Sequence, residues 1–185
     1  MLQLNREHLN AIKAHAEADY PHECGGLLLG TLDGETKTVV ETLPMENIAA
    51  EETRHDRVLI DPRDLMKADK KARAKGLDVI GYYHSHPDDE AIPSQFDLDH
   101  ALPVWSYIIV SVRDKKAVDW NSWEMKNDRS QYCKEGVETL GESIFNSQWL
   151  KDPFFVGEYF FYSLWRFLFH FFCFAPLFWR KNLRT

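Results

Sequence analysis

The most informative stretch of the sequence is residues 80–87, which read Ile-Gly-Tyr-Tyr-His-Ser-His-Pro. Residues 79–84 are apolar and β-rich, and we predict that they form a strand. Residues i and i+2 of a strand point to the same side of the sheet, so His84 and His86 can direct two imidazoles at one point. Two imidazoles that converge in this way can supply the first two ligands of a zinc ion.

A carboxylate follows at a spacing that can complete such a site. Asp97 lies eleven residues after His86, in the segment Ser94-Gln-Phe-Asp97. The loop over residues 87–93 can fold back and place the first turn of a helix that begins at Ser94 beside the two histidines. Two histidines, one aspartate and a fourth position open to water are typical of a catalytic rather than a structural zinc site.

Each of these features also has a simpler explanation. A single His-x-His pair on a strand is more often an edge or surface feature than a pair of ligands. Taken alone, Ser94-x-x-Asp97 is a variant of the capping box, in which Ser94 caps a helix and Asp97 lies at its positive end. Cys24, within an apolar segment, is usually a small buried hydrophobic residue. The combination of the features at this spacing, after an apolar strand, is much less expected by chance.

The remaining sequence predicts a mixed α/β domain without internal repeats. Asn5 and the Asp61-Pro62 pair are suitable starts for helices, and Pro21 and Gly76 are suitable ends. We predict helices over residues 5–19, 61–75 and 94–101, strands over residues 24–30, 36–43, 57–60, 79–84, 107–112 and 117–123, and a weak helical tendency over residues 135–147.

Composition and charge restrict the class of protein. The chain has 185 residues and a net charge of −7, and 44% of its residues are hydrophobic, as expected for a folded domain. The acidic balance gives no electrostatic reason to bind nucleic acid. Three cysteines without a CxxC pair argue against a disulfide framework, and the N-terminus lacks the pattern of a signal peptide. We therefore expect a cytoplasmic location.

The last part of the chain differs from the rest. Fourteen of the 25 aromatic residues lie within residues 154–179, and three basic residues follow. A membrane-spanning helix needs about 20 apolar residues, whereas the longest stretch here without Arg or Glu is residues 167–179. Three alternatives stay open for this segment: an anchor at a membrane surface, a helix that packs on the body or on a partner subunit, and an extension unrelated to the function of the domain.

The site residues and their spacing resemble the JAMM motif of the MPN+ metalloproteases, the JAB-domain proteins. The resemblance rests on His84-Ser-His86-Pro, on the seven residues from Pro87 to Pro93, on Ser94-x-x-Asp97, and on Glu23 in the upstream segment His-Glu-Cys-Gly-Gly-Leu-Leu-Leu-Gly. It is closest to the compact prokaryotic members. The resemblance implies an α/β fold of the MPN/JAB, cytidine-deaminase-like type, with a mixed sheet flanked by helices. It suggests a metallopeptidase domain over residues 1–125, a helical extension over 126–152 and an aromatic hydrophobic tail over 153–185.

The resemblance also implies a role for each site residue. His84, His86 and Asp97 would bind one Zn²⁺ ion per chain. Glu23 would accept a proton from the attacking water and pass it to the leaving amine. Ser94 would stabilise the oxyanion through its hydroxyl group.

By the same resemblance, the reaction is hydrolysis of an amide or isopeptide bond after the C-terminal Gly-Gly of a ubiquitin-like or sulfur-carrier protein. One branch of the family releases cysteine from such a carrier. We expect the Gly-Gly tail to enter as an extended strand along the loops at residues 51–60 and 85–93. Two alternatives stay open: a non-catalytic MPN scaffold, which typically lacks one or more metal ligands, and a zinc hydrolase of small-molecule amides.

Overall fold

The computed structural model describes residues 1–126 and 128–141 of the chain. Within these residues the helices are α1 (Arg6–Asp19), α2 (Pro62–Ala74) and α3 (Gln95–His100), with a short 3-10 helix over Glu51–Thr53. The strands are β1 (Leu2–Asn5), β2 (Gly25–Asp33), β3 (Thr36–Met45), β4 (Asp78–Pro87), β5 (Ser106–Arg113), β6 (Lys116–Met125), β7 (Tyr132–Lys134) and β8 (Val137–Leu140).

The strands of this region belong to one mixed sheet with the order β7-β6-β5-β4-β2-β3-β1-β8. At its centre, β4 pairs with β2 in the antiparallel direction and with β5 in the parallel direction. Only Glu135 and Gly136 connect β7, at one edge, to β8, at the other. Such a connection spans at most about 11 Å, so the two edges lie close together and the sheet is strongly curled.

Helices cover both faces of the sheet. The buried side of α1 packs on one face, where it contacts a core that includes Leu28 and Ile108. The alanines of α2 pack on the other face, against Leu27 and Leu29. Adjacent residues of β2 thus enter two different cores, which explains why this strand is a continuous apolar run rather than an alternating one. The predicted α/β fold, a mixed sheet flanked by helices, is confirmed.

The helix ends form where the sequence predicts them. The Asn5 side chain accepts a hydrogen bond from the backbone N–H of His8 at 2.7 Å and caps α1. Asp61 caps α2 in the same way, with Pro62 in the first turn. Gly76 has a φ of +72° just after α2, a backbone conformation that glycine adopts without strain.

The predicted strand over residues 57–60 is wrong, because this segment has no regular secondary structure. The side chain of Asn47 forms hydrogen bonds with backbone groups of this segment. Asn47 Nδ2 donates to the carbonyl of Arg57 at 2.8 Å, and Asn47 Oδ1 accepts from the N–H of Leu59 at 3.1 Å. A β-rich segment therefore runs as an ordered loop, bonded to a side chain instead of to a neighbouring strand.

The helical prediction for residues 135–147 is wrong for residues 137–140, which form β8. β8 pairs with β1 in the parallel direction, from Leu2↔Val137 to Asn5↔Leu140. Hydrogen bonds to a strand from the other end of the chain thus override a weak local preference. The described part of the predicted extension, residues 128–141, contains strands β7 and β8.

Residues 142–185, including the aromatic tail over 153–185, lie outside the described residues. The domain boundaries and the three alternatives for the tail remain predictions. Among the residues that the structure describes, no helix is both long enough and apolar enough to span a bilayer.

A buried ion pair holds the curled sheet together. Lys37 of β3 and Glu135 of the β7–β8 connection are 4% and 5% exposed, and Lys37 Nζ lies 3.1 Å from Glu135 Oε1. Ser106 of β5 donates to Glu135 Oε1 at 3.0 Å, and Ser122 of β6 donates to Oε2 at 2.8 Å. These bonds join β3, β5 and β6 to the segment that connects the two edges.

We expect the substitution Glu135→Gln to lower the free energy of unfolding by about 3 kcal/mol, because it removes the buried, nearer carboxylate that faces the Lys37 ammonium group and leaves only the half-exposed Glu124, at 3.5 Å. The matched control is Glu41→Gln, which breaks the ion pair between Glu41 and the exposed Lys75. This control should change stability by no more than about 0.5 kcal/mol. Urea unfolding at neutral pH measures both values. Equal stability of the two variants would contradict a role for Glu135 in closing the sheet.

Candidate metal centre

Three predicted ligands converge at the end of β4. His84 Nε2 and His86 Nε2 are 3.0 Å apart. Asp97, in the first turn of α3, has Oδ1 at 3.2 Å from His84 Nε2 and Oδ2 at 3.7 Å from His86 Nε2. One ligand atom from each of the three residues lies within 4.8 Å of the others. Zinc bonds of about 2.0 Å in a tetrahedral arrangement place ligand atoms about 3.3 Å apart, close to the separations of 3.0 Å and 3.2 Å at His84 Nε2. The three residues therefore fit a small divalent cation.

The orientation of His86 supports the same conclusion. Its Nδ1 lies 2.8 Å from the carbonyl oxygen of Glu90, which can only accept a hydrogen bond. Nδ1 therefore carries a proton, and in the neutral ring that a metal requires, Nε2 has its lone pair on the side of His84 and Asp97. Both imidazoles are buried, with 3% of His84 and 7% of His86 exposed. Buried lone pairs and a carboxylate that face one another in this way form the donor set of a metal site.

Glu23 reaches the site through the pairing of β2 with β4. The antiparallel register places Gly25 opposite His84, so the residue that precedes β2 lies beside the end of β4. Glu23 Oε1 is 4.0 Å from His86 Nε2. The Asn47 side chain and the Arg54 carbonyl bind the backbone of Glu23 and fix its position. The structure thus brings together two segments that are far apart in the sequence.

The two carboxyl groups of the site have opposite pKa shifts. Burial raises the pKa of Glu23 to about 7, although the nearby imidazoles lower it. Burial also acts to raise the pKa of Asp97, but His84, His86 and the hydroxyl of Ser94 hold it well below its usual range. The Asp97 carboxyl group is therefore anionic, as a metal ligand would need to be, whereas Glu23 can take up and release a proton near neutral pH.

Ser94 forms the capping box that its spacing predicts. Its hydroxyl and its backbone N–H both donate to Asp97 Oδ2 at 2.7 Å, and its Oγ accepts from the N–H of Asp97 at 3.2 Å. The first turn of α3 therefore holds the Asp97 carboxylate in place from two directions. The predicted contact of Ser94 with an oxyanion requires its hydroxyl to turn away from Asp97.

A cavity of about 220 Å³ opens beside these residues, and Glu23, His84 and Asp97 are among the residues that line it. Its other walls are apolar and aromatic, and they include Val58, Leu65, Tyr82, Phe96, Trp105 and Tyr107. Residues 58–60, from one of the loops predicted to border the groove, line the cavity. Local sequence patterns do not predict this aromatic wall. The only signal for it is the position of Trp105 and Tyr107 at the start of β5, the strand beside the His-x-His strand.

The comparisons with known proteins identify the family. The family described as prokaryotic homologs of the JAB domain matches residues 5–126. The chain belongs to this family. A solved structure from Desulfitobacterium hafniense has a similar fold: its TM-score is 0.68 at 30% sequence identity, and the match covers 79% of this chain and 97% of the other.

Three curated relatives match this JAB domain. A desampylase from Haloferax volcanii is 32% identical, over 68% of this chain and 91% of the relative. A probable TtuB-protein conjugate cleaving protease from Thermus thermophilus is 31% identical, over 59% of this chain and 69% of the relative. A CysO-cysteine peptidase from Mycobacterium tuberculosis is 29% identical, over 68% of this chain and 83% of the relative. The resemblance stated from the motif is thus confirmed at the level of the family.

We expect Asp97→Asn to abolish stoichiometric binding of Zn²⁺, because the JAB-domain site would lose its anionic ligand. The control is Asp99→Asn, on the same helix, where Asp99 binds the exposed side chain of Gln95. Elemental analysis after zinc reconstitution and desalting measures the metal content per chain. The ligand assignment fails if Asp97→Asn retains as much zinc as Asp99→Asn.

Proposed function

We propose that the protein is a zinc-dependent metallopeptidase, with one Zn²⁺ ion per chain. Its reaction is hydrolysis of the amide or isopeptide bond that follows the C-terminal Gly-Gly of a ubiquitin-like or sulfur-carrier protein. The observation that carries the proposal is the convergence of His84, His86 and Asp97, with Glu23 beside them, at an open cavity. The bond between such a carrier and cysteine is a further candidate substrate.

Two lines of support go beyond the geometry. The chain belongs to a family in which curated relatives are named as a desampylase, a conjugate-cleaving protease and a CysO-cysteine peptidase. In addition, the ligand set and a separate carboxyl group are all present, whereas a non-catalytic scaffold of this family has no need for Glu23. A buried carboxyl group is costly unless it has a function or a partner.

In this proposal, different residues bind the metal and transfer the proton. His84, His86 and Asp97 would hold the metal, which would supply Lewis-acid chemistry at the scissile carbonyl and at water. Glu23 accepts a proton from the attacking water and passes it to the leaving amine. Because the backbone of Glu23 is fixed by hydrogen bonds from the loop at residues 46–57, its carboxyl group is held in position for both transfers.

We expect Glu23→Gln to lower kcat by about 10²- to 10⁴-fold while the zinc content stays unchanged, because the substitution removes a general base and leaves the ligands intact. Glu52→Gln, in an exposed part of the neighbouring loop, is the control. The substrates are carrier proteins of the ubiquitin-like fold, extended beyond Gly-Gly by cysteine or joined through a lysine side chain. Mass spectrometry of the products measures the cleavage.

The same substrates separate the alternatives. Cleavage after Gly-Gly by the wild-type chain supports the proposal. Hydrolysis of a small acyl amide, without cleavage of any carrier, would favour a small-molecule hydrolase. Binding of a carrier without any cleavage by the zinc-loaded chain would favour a scaffold. Near-normal turnover by Glu23→Gln would show that another group transfers the proton.

We expect Ser94→Ala to lower kcat by about 10²-fold, as for the loss of one oxyanion donor, with little change in zinc content. The backbone N–H of Ser94 still donates to Asp97 at 2.7 Å in this variant, so the carboxylate keeps one of its two bonds. Parallel measurement of kcat and of zinc content separates the two roles of Ser94. Loss of activity in proportion to loss of zinc would show that the hydroxyl only positions Asp97.

A further inference from the structure

We propose that Ser111, Asn121 and Trp123, which we call the loop brace, are positioning residues for the metal ligand His86. The brace fixes the backbone of residues 89–91, in the loop that follows β4. The Glu90 carbonyl of this loop binds the His86 ring, so the brace affects how tightly the site binds Zn²⁺. This inference rests on the metal site of the proposed function, but not on the identity of the substrate.

Three successive carbonyl groups of the loop each accept a hydrogen bond from a side chain. Ser111 Oγ donates to the carbonyl of Asp89 at 2.5 Å. Asn121 Nδ2 and Trp123 Nε1 donate to the carbonyl of Ala91 at 3.3 Å and 3.1 Å. The carbonyl between them, that of Glu90, accepts from His86 Nδ1. The brace therefore holds the two peptide groups on either side of the one that orients the ligand.

The brace residues lie on two neighbouring strands of the sheet. Ser111 lies on β5 and the other two residues lie on β6, at alternate positions that share one face of the sheet. The register pairs Tyr107 with Trp123 and Ile109 with Asn121, so the donors stand in neighbouring rows. Ser111 is 2% exposed and Ala91 is 1% exposed. Loss of the Ser111 hydroxyl removes the side-chain donor to the Asp89 carbonyl, and loss of the Trp123 N–H leaves the Ala91 carbonyl with only the longer bond from Asn121, so either change frees the loop to shift.

The loop controls only one of the two imidazoles. Because peptide groups are planar and stiff, the positions of the neighbouring peptide groups determine the direction of the Glu90 carbonyl. The hydrogen bond to this carbonyl in turn determines the orientation of the His86 ring. For His84, the described residues offer no hydrogen-bond partner to Nδ1, and its ring instead stacks on Tyr82 with centroids 5.6 Å apart. Damage to the brace should therefore disturb His86 and leave His84 in place.

The test is the affinity of the metal-free full-length chain for Zn²⁺, measured by competition with a chromogenic chelator. Trp123→Phe keeps the ring and removes its N–H donor, and Ser111→Ala removes the hydroxyl. We expect each variant to weaken zinc binding by about 10-fold, the lower end of the range for residues that support metal ligands. Ser111→Thr retains a hydroxyl and should restore most of the affinity.

The matched control is Trp120→Phe. Trp120 lies on the same strand as Trp123 but packs on the opposite face, in the core that contains α1. We expect its zinc affinity to stay within about twofold of wild type, so that any effect of Trp123→Phe does not arise from a general loss of packing in β6. Thermal unfolding of the metal-free variants measures packing separately.

A second measurement reports on the ligand itself. In ¹⁵N-labelled protein, the long-range imidazole spectrum distinguishes the two tautomers, and the wild-type His86 ring should carry its proton on Nδ1. We expect the Ser111→Ala/Trp123→Phe double variant to show exchange broadening or a mixture of tautomers for His86, with His84 unchanged.

The outcomes separate this inference from the proposed function. If the wild-type chain fails to bind zinc, both are refuted. If the wild-type chain binds zinc and the brace variants bind it equally well, the inference is refuted and the proposed function is unaffected. Weaker binding by the brace variants but not by Trp120→Phe supports the inference.

Discussion

The antiparallel pairing of β2 with β4 is the constraint on which the site depends. It places the residue before β2 beside the end of β4, and so brings Glu23 to the two histidines. The close fit of the two strands requires glycine in β2, since a side chain at Gly26 would collide with the ring of Tyr83. The glycine after Cys24 therefore matters for the geometry of the candidate site, because it lets the strand that follows Glu23 pack against the His-x-His strand.

The sequence could predict what is local. Capping residues locate the ends of α1 and α2, and the His-x-His spacing on a strand places two imidazoles on one face. The position of Glu23 could not be derived from the residues alone, because it depends on a pairing between segments some 60 residues apart, and only the family resemblance indicated it. The two wrong predictions of secondary structure, for residues 57–60 and 137–140, both arise from contacts with distant residues. The Asn47 side chain decides the conformation of residues 57–60, and β1 decides that of residues 137–140.

The pKa values of the two carboxyl groups in the site differ because their environments differ, not because one is Asp and the other is Glu. Asp97 receives two hydrogen bonds from Ser94 and faces both imidazoles, so its charge is stabilised. Glu23 is buried beside an apolar cavity, and for that reason its pKa rises toward neutrality. Two acids in one site can thus serve as a ligand and a proton carrier, the division of work expected where the environment moves two pKa values apart.

The strand β5 connects the buried ion pair to the candidate metal site. Ser106, at the start of β5, binds Glu135 on one face of the sheet, and its neighbour Tyr107 lines the cavity on the other. Further along β5, Ser111 reaches the loop that orients His86. A shift of β5 would therefore change the cavity wall and the ligand geometry together. Catalytic groups must be held to within a fraction of an ångström, and a curled sheet whose edges are joined by a short connection supplies that precision where a loop alone would not.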